Sequence, residues 1–283
     1  MIIPQALVAA CQNRPNREVW LAQLEVTIGL LTQRWSLILE APFESASAAW
    51  VAPAKLPDGR AAVLKVAMPH VEGDHEIDGL RFWHGGPTVQ LLDVDRKMGA
   101  LLLERCEPGH GLWKQPKPEQ DVVLAGILKR LWRVPPEPHP FRHLSEMLEC
   151  WRERTLADAA QWPDAGLVRE GLRLLAELAG TATDQALLAT DLHAGNLLRA
   201  QRESWLAIDP RPYIGDPAYD ATQHLLNRAR VGSDPVGTIR RFAELAGLDP
   251  ERVRLWTFAR AAAQPRDDWS QGPLMELALA IMP

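Results

Sequence analysis

The sequence lacks the features that tie a chain to a membrane or to a nucleic acid. Its 283 residues contain no run of about 18 uncharged apolar residues, and its first residues lack the basic and apolar parts of a signal peptide. We therefore expect no membrane partner and a cytoplasmic location. With 31 basic and 36 acidic residues, the chain also lacks the basic excess that nucleic acids usually select, so no nucleic-acid partner is expected.

Cysteine is scarce. Cys11, Cys106 and Cys150 are odd in number and show no paired spacing, which argues against both a disulfide framework and a zinc site. We interpret all three as buried thiols. The eleven tryptophans, by contrast, are many for this length, but they are scattered and favour packing over a ligand-binding cage.

The chain does have enough apolar residues for a large core. At 47% hydrophobic content, its length suggests one large domain or two lobes. The net charge of −5 suits a cationic small molecule, because a cleft of one sign concentrates ligands of the other sign. We expect a monomer or weak dimer that acts on a small-molecule substrate.

The spacing of apolar residues changes near residue 106. Before this point, residues 4–35 have helical periodicity, five strand-like runs follow, and a helix is predicted over 72–84 between the third and fourth runs. The strand-like runs are 36–39, 48–52, 61–66, 89–92 and 100–103. After Glu107–Gly111, helical patterns predominate, over 118–132, 144–161, 165–182, 218–227, 234–246 and 250–263, with a short final helix near Trp269.

One later stretch carries the residue types of phosphoryl-transfer chemistry. Asp191, His193 and Asn196 lie in one turn-forming segment, and Asp209 ends a short strand-like run, 205–208, further along the chain. An aspartate can accept the proton of an attacking hydroxyl, and an asparagine oxygen with a second carboxylate supplies the hard ligands that Mg²⁺ prefers. The same residue types are ordinary in loops, so this stretch alone leaves a structural turn open.

The order of the motifs resembles the aminoglycoside phosphotransferase family of the protein-kinase-like fold, and more closely its streptomycin and hydroxyurea phosphotransferase subgroup. The matching segments are Val63–Val66, Glu76 with Gly79–Trp83, Leu102–Cys106, Asp191–Asn196, and Leu206–Pro210 with Gly215–Asp220. The resemblance implies an α+β, bilobal kinase-like fold. Residues 1–105 would form a small antiparallel-sheet lobe with one inserted helix, and residues 106–283 a mainly helical lobe.

The resemblance also implies ATP and Mg²⁺ as cofactors and a role for each matched residue in binding ATP. Lys65 would hold the α- and β-phosphates, and Glu76 would orient Lys65 through an ion pair. Glu104 and Cys106 lie in the connector between the lobes, where backbone groups would bind adenine. Backbone and hydroxyl donors of two serines in the loop between the first two strands would cover the phosphates, namely Ser45 and Ser47.

For the reaction itself, the resemblance makes Asp191 the base and assigns Mg²⁺ to Asn196 and Asp209. His193 would act in catalysis or brace the loop through a structural hydrogen bond. Two further carboxylates, Asp216 and Asp220, lie four residues apart and would support this loop. Asp216 would be the N-cap of a helix that begins at about residue 217.

Two departures from the family pattern keep a second function open. The family commonly has His-Gly before the catalytic aspartate, whereas this chain has Ala189-Thr190, and the loop over residues 42–48 contains no glycine. A pseudokinase that binds nucleotide without turnover is therefore an alternative. A protein kinase is disfavoured, because no Ala-Pro-Glu-like segment follows Asp209.

The resemblance suggests streptomycin or a related cationic antibiotic as the substrate, and hence antibiotic resistance as the outcome. A kinase of a cellular small metabolite is the alternative. Candidate carboxylates for a cationic substrate fit a solvated surface equally well; they are Asp158, Asp164, Asp234 and Asp267.

Overall fold

The computed structural model describes residues 2–44, 48–68, 75–226, 228–269 and 272–283. The packing of Cα atoms divides the chain into two compact units, Met1–Gly109 with Arg199–Leu206, and His110–Leu198 with Ala207–Pro283. The division into lobes of 1–105 and 106–283 stays a prediction. Within the described ranges, no helix is both long and apolar enough to cross a membrane.

The first unit is built on an antiparallel sheet, which has five strands in the described part of the chain, in the order β1-β2-β3-β5-β4. The strands are Ile38–Leu39 (β1), Ala49–Lys55 (β2), Ala61–Ala67 (β3), Leu91–Asp95 (β4) and Ala100–Glu104 (β5). The helices are Gln5–Cys11 (α1), Pro15–Arg34 (α2) and Glu76–Trp83 (α3). The predicted strands and the inserted helix are therefore present, with shifted ends.

The helical periodicity over 4–35 corresponds to two separate helices, α1 and α2. Asn13 adopts a left-handed φ of 58°, which asparagine tolerates better than most residues. Pro15 then starts α2 at its first turn, where its missing N–H has no partner to lose. The helix predicted from residue 72 begins at Glu76, and residues 72–74 lie outside the described part of the chain.

One face of the sheet packs against α1 and α2. Successive side chains of a strand point to opposite faces, so Leu64 and Val66 of β3 share the face that Lys65 does not. Both join a buried cluster with residues from β2, α1 and α2, which include Trp50, Ala52, Leu7, Leu24, Ile28 and Leu31. The alternation along β3 thus leaves Lys65 on the other side of the sheet.

The second unit is mainly helical in its described residues. Its helices are Lys117–Leu131 (α4), Leu144–Ala157 (α5), Ala165–Gly180 (α6), Pro217–Asp220 (α7), Thr222–Leu225 (α8), Arg228–Val231 (α9), Pro235–Ala246 (α10), Pro250–Ala263 (α11) and Pro273–Ala280 (α12). Ala186–Leu188 (β6) pairs antiparallel with Tyr213–Gly215 (β9). Between them along the chain are two further short strands, Leu197–Arg199 (β7) and Trp205–Ala207 (β8).

Two helix predictions in this unit were wrong in detail. The helix predicted over 218–227 breaks at Ala221 into α7 and α8. The final helix begins at Pro273 rather than near Trp269, whose indole instead donates to Asp158 Oδ2 at 3.3 Å. The strands β6 and β9 were not predicted, because three residues are too few to show a period.

The interpretation of the cysteines as buried thiols holds for Cys11 but is wrong for Cys150, which is exposed; Cys106 is intermediate. Cys150 lies off the face of α5 that carries the buried residues Leu144, Met147 and Leu148. Burial, with a smaller contribution from the charge of Glu104, raises the pKa of Cys106 to about 12, so this thiol stays neutral at physiological pH.

Two helices of the second unit approach each other closely at Gly171. A Cβ atom at this position of α6 would lie 2.8 Å from the Cβ atoms of both Ala262 and Ala263 in α11. Small residues on both helices therefore permit this crossing. Gly126 in α4 is the counterexample, since a Cβ atom there would meet no atom within 4 Å.

We predict opposite effects for the same substitution at these two glycines. Gly171→Ala should lower the free energy of unfolding by about 1–3 kcal/mol, because the added methyl group overpacks the crossing. Gly126→Ala should raise it by up to about 1 kcal/mol, because alanine is the better helix former. Urea denaturation of both variants measures this, and stabilisation by Gly171→Ala would contradict the close crossing.

Candidate active site

Lys65 and Glu76 form the ion pair expected in the first unit. Lys65 Nζ lies 2.7 Å from both carboxylate oxygens of Glu76, and the two residues are only 8% and 6% exposed. The pair joins β3 to the first residue of α3. A buried cation with a buried carboxylate partner is held in one orientation, which is what binding of a phosphate by a lysine requires.

The connector residues of the first unit have clear partners. Glu104 accepts hydrogen bonds from Arg202 through both carboxylate oxygens, at 2.9–3.2 Å, and from the backbone N–H of Gln90 at 2.9 Å. The same guanidinium donates to the carbonyls of Gly85 and Thr88. The side chain of Glu104 therefore anchors Arg202, a structural role that the sequence did not suggest.

Two of the predicted nucleotide-binding residues, Ser45 and Ser47, lie outside the described part of the chain.

In the second unit, the loop over residues 189–196, called here the Asp191 loop, depends on a buried carboxylate. Asp220 is 0% exposed and accepts hydrogen bonds from the backbone N–H groups of Ala189 and Thr190 and from the indole of Trp132, at 2.7–3.0 Å. Burial raises the pKa of Asp220, whereas these donors and the charge of Arg260 favour the ionised form. The expected support of the loop by Asp220 is therefore present.

Asp216 is the N-cap of α7, as predicted, and accepts a hydrogen bond from the backbone N–H of Ala218. Its other oxygen accepts from Arg252 and from the indole of Trp256, at 2.5 and 2.7 Å. Because both donors belong to α11, Asp216 fixes the helix that carries it against the C-terminal helices.

Thr190 occupies the position where the family commonly has glycine. Its backbone conformation shows why glycine is favoured there. Its φ is 49°, a left-handed value that is unusual for a β-branched residue. The hydroxyl of Thr190 donates to the carbonyl of Arg211 at 2.6 Å, and its N–H is held by Asp220. These two hydrogen bonds compensate for the strained backbone, so the departure from the family pattern does not prevent the turn.

We predict that Thr190→Val lowers the free energy of unfolding by about 1–3 kcal/mol, because the carbonyl of Arg211 loses its donor. Valine is also β-branched, so the backbone strain is the same in both proteins. Thr183→Val, at an exposed threonine, is the matched control. Equal denaturation midpoints for the two variants would contradict a role for the hydroxyl.

His193 braces the loop from within. Its Nδ1 accepts the backbone N–H of Gly195 at 3.0 Å, which places the remaining proton of a neutral ring on Nε2. Burial lowers the pKa of His193, and the charge of Asp191 opposes this only in part. A Cβ atom at residue 195 would lie 2.6 Å from the imidazole, so glycine is needed there.

His193→Asn tests whether the imidazole is buried in its neutral form, because asparagine can still accept the N–H of Gly195 but does not titrate. The folded-state pKa of His193 is depressed, so its contribution to stability is present above about pH 6.5 and is lost as the pH falls through the folded value. We predict a smaller loss of unfolding free energy between about pH 7 and 5 in the variant than in the wild type. Identical pH dependence would contradict a buried neutral imidazole.

Asp191 is held at both carboxylate oxygens. Oδ1 accepts a hydrogen bond from the side-chain amide of Gln223 at 2.7 Å, and Oδ2 lies 3.1 Å from Nη2 of Arg211. The carboxylate is partly exposed, at 17% of its side chain. Asp191 is therefore oriented by two residues, Arg211 and Gln223, that the sequence did not indicate.

Two further residues carry oxygen ligands, Asn196 in the Asp191 loop and Asp209 after β8. The side-chain N–H of Asn196 donates to the backbone carbonyl of Asp191 at 3.0 Å. The amide oxygen, Oδ1, therefore faces away from this carbonyl. The backbone carbonyl of Asn196 accepts the N–H of Ile208 at 2.9 Å, so the residue before Asp209 is tied to Asn196. Asp209 itself has a left-handed φ of 54°.

Amide and carboxylate oxygens such as those of Asn196 and Asp209 are ligands of the type that Mg²⁺ prefers. In the described part of the chain, no group of three or more His, Cys, Asp or Glu side chains is arranged to hold a metal. Mg²⁺ does not need one, because it usually takes one or two protein ligands together with phosphate oxygens and water.

A cavity of about 620 Å³ adjoins the Asp191 loop within the second unit. It is lined by Trp113, Lys117, Gln120, His193, Ala194, Gly195, Gln223, His224, Leu226 and Arg230. Trp113 is 62% exposed, and a Cβ atom at Gly111 would lie 2.5 Å from its indole. Two of the lining residues share a buried partner: His224 Nε2 lies 2.9 Å from Asp121 Oδ1, and Arg230 is paired with the other oxygen of Asp121.

Comparison with known proteins identifies the family. Residues 34–267 match the family described as aminoglycoside/hydroxyurea antibiotic resistance kinase. The chain belongs to this family. It is 36% identical over 271 residues to streptomycin 6-kinase from Streptomyces glaucescens, a match that covers 91% of this chain and 88% of that protein. It is 38% identical to hydroxyurea phosphotransferase from Kitasatospora aureofaciens, over 81% of this chain and 68% of that protein.

The solved structures agree on the fold. The crystal structure of the choline kinase LicA from Streptococcus pneumoniae matches with a TM-score of 0.61 at 16% identity, and the match covers 89% of each chain. The predicted α+β, protein-kinase-like fold is therefore confirmed, and so is the resemblance to the streptomycin and hydroxyurea phosphotransferases. As a member of this kinase family, the protein is a phosphotransferase.

Proposed function

We propose that the protein transfers the γ-phosphoryl group of ATP to a hydroxyl group of a streptomycin-type aminoglycoside and thereby inactivates the antibiotic, with Mg²⁺ as cofactor. Family membership and the two streptomycin 6-kinases that it matches at 34–36% identity support this proposal. A transferred phosphate adds nearly two negative charges at neutral pH, which would weaken binding of a cationic drug to an anionic target.

In the first unit, Lys65 would bind the α- and β-phosphates, and Glu76 would keep its ammonium group in place. Adenine would be bound by the connector. The N–H of Glu104 already donates to the carbonyl of Gln90, and no intramolecular hydrogen bond of the Cys106 N–H appears among the described residues. Cys106 is thus the better donor to the base. Ser45 and Ser47 stay proposed phosphate contacts.

In the second unit, Asp191 would accept the proton of the substrate hydroxyl as its oxygen attacks the γ-phosphorus. Asn196 and Asp209 would hold Mg²⁺, which supplies charge neutralisation for the phosphates when it is bound. His193, with Nδ1 engaged by Gly195, would brace the loop and direct Nε2–H outward. Enzymes of this type act mainly by positioning and charge stabilisation, so the rigidity of the Asp191 loop is the property that matters.

The arrangement of Asp191 carries this proposal. Its carboxylate is held at both oxygens, lies in a loop fixed by Asp220, and remains partly exposed. A structural carboxylate needs no such exposure, whereas a base must reach its substrate.

The cavity beside the Asp191 loop is the proposed acceptor site. Trp113 would cover one face of a sugar ring, and Gln120 holds this tryptophan in place by donating to its backbone carbonyl at 3.3 Å. The described residues that line the cavity include two cations, Lys117 and Arg230, and no carboxylate. The proposal of a cationic acceptor therefore rests on the relatives rather than on the charge of the cavity.

Among the acidic candidates suggested for binding a cation, Asp164 and Asp234 are N-caps of α6 and α10. Asp158 accepts a hydrogen bond from Trp269. These three carboxylates have structural partners, which favours the alternative of a structural surface role over substrate binding.

We predict that the purified protein, given ATP and Mg²⁺, converts streptomycin to a phosphorylated product detectable by mass spectrometry. Asp191→Asn should lower the rate by about 10²- to 10⁴-fold, because the amide cannot accept the proton. Asp184→Asn, at an exposed aspartate of the same unit, is the matched control and should keep the wild-type rate.

Full activity of the Asp191→Asn variant would overturn the assignment of the base. Turnover of hydroxyurea, sugars or amino alcohols without turnover of streptomycin would instead indicate a different acceptor. Nucleotide binding without turnover on any acceptor would favour the pseudokinase.

A further inference from the structure

Gln223 contacts the carboxylate of Asp191 in an orientation that its other partner determines. Arg260 Nη2 lies 2.6 Å from Oε1 of Gln223, while Nε2 of Gln223 lies 2.7 Å from Oδ1 of Asp191. A guanidinium can only donate hydrogen bonds. The amide oxygen must therefore face Arg260, and the amide N–H₂ must face Asp191, so the contact is a donated hydrogen bond to the carboxylate.

Arg260 is itself fixed in the interior. It is 3% exposed, and its guanidinium carbon lies 4.5 Å from the ring centre of Tyr219 and 5.6 Å from that of Trp151. Its Nη1 donates to the hydroxyl of Thr222 at 2.6 Å. Both terminal nitrogens of Arg260 thus donate to residues of α8, namely Thr222 and Gln223.

Burial of Arg260 also carries a cost in free energy. Its Nε is buried and has no hydrogen-bond partner among the described residues. Leaving a buried donor of a charged group unsatisfied costs free energy, so an arginine here is a poor choice for packing. Two contributions offset that cost, because the charge favours the ionised form of Asp220 and also orients Gln223 towards Asp191.

We propose that Gln223 is a positioning residue for Asp191, and that Arg260 holds Gln223 in the orientation that donates to the carboxylate. With Arg211 on Oδ2, this hydrogen bond fixes the rotation of the carboxylate and leaves its remaining lone pairs for the substrate proton. Gln223 also lines the cavity, so the rival assignment is direct binding of the acceptor. The inference rests on the proposed function of Asp191 as the base.

The kinetic test uses the full chain with ATP, Mg²⁺ and streptomycin. Gln223→Met keeps the size of the side chain and removes both hydrogen bonds, and we expect kcat to fall about 10- to 100-fold. The KM values for ATP and streptomycin should stay within about threefold of the wild-type values. Gln161→Met is the matched control, because Gln161 also donates to an aspartate, Asp158, but at an exposed site between α5 and α6.

Gln223→Glu distinguishes positioning from packing. Glutamate keeps the partner for Arg260 but presents a carboxylate, rather than a donor, to Asp191. We expect kcat to fall at least as far as in Gln223→Met. Wild-type kcat in Gln223→Glu would overturn the proposal, and so would a rise in KM for streptomycin at unchanged kcat in Gln223→Met, which would assign Gln223 to acceptor binding.

A second measurement decides the matter even if streptomycin is not a substrate. In a double-mutant cycle of Gln223→Met and Asp191→Ala, the shifts in denaturation midpoint should be non-additive, because each substitution removes the same hydrogen bond. Additive shifts would overturn the proposed contact. If the wild type does not phosphorylate streptomycin but the cycle is non-additive, the proposed acceptor is wrong and the contact between Gln223 and Asp191 stands.

Discussion

The carboxylate of Asp220 is the group on which the second unit's site depends. It is fully buried, and it remains tolerable there only because the N–H groups of Ala189 and Thr190 and the indole of Trp132 converge on it. The relation is reciprocal, since those backbone groups would otherwise be buried donors without an acceptor. One side chain thereby sets the path of the chain immediately before Asp191.

From this point the contacts extend in two directions. Thr190 reaches the carbonyl of Arg211, whose side chain returns to Asp191, and the segment after Asp220 contributes Gln223. Asp191 is therefore contacted by residues that connect to Asp220, Arg211 through Thr190 and Gln223 through the start of α8. A disturbance at Asp220 would reach every one of them.

The sequence predicted the features that depend on chain order. The lysine of β3, the aspartate and asparagine of one loop, and the aspartate after a later strand keep fixed positions along the chain, so their pattern is readable without coordinates. The ion pair between Lys65 and Glu76 was predictable for the same reason. The break between α1 and α2 was less accessible. The apolar residues keep helical spacing across Asn13, although the backbone there has a left-handed φ.

The partners of Asp191 could not be predicted, because tertiary packing alone brings them together. Arg211 is twenty residues away along the chain, and Arg260 acts from α11, where it reads as one more polar residue of a helix. Thr190 was harder still, since a threonine in place of glycine indicated a damaged loop. The structure shows that a hydrogen bond from its hydroxyl offsets the backbone strain that glycine would have avoided.

Arg202 has a consequence for how the first unit can be isolated. This residue lies far along the chain, yet its guanidinium satisfies Glu104 and the carbonyls of Gly85 and Thr88. A fragment that ends at residue 109 would lose the arginine donor of all three acceptors, although it contains every strand of the described sheet. The first unit is thus discontinuous in sequence, and a fragment meant to fold as this unit alone must carry residues 199–206 joined to the N-terminal part.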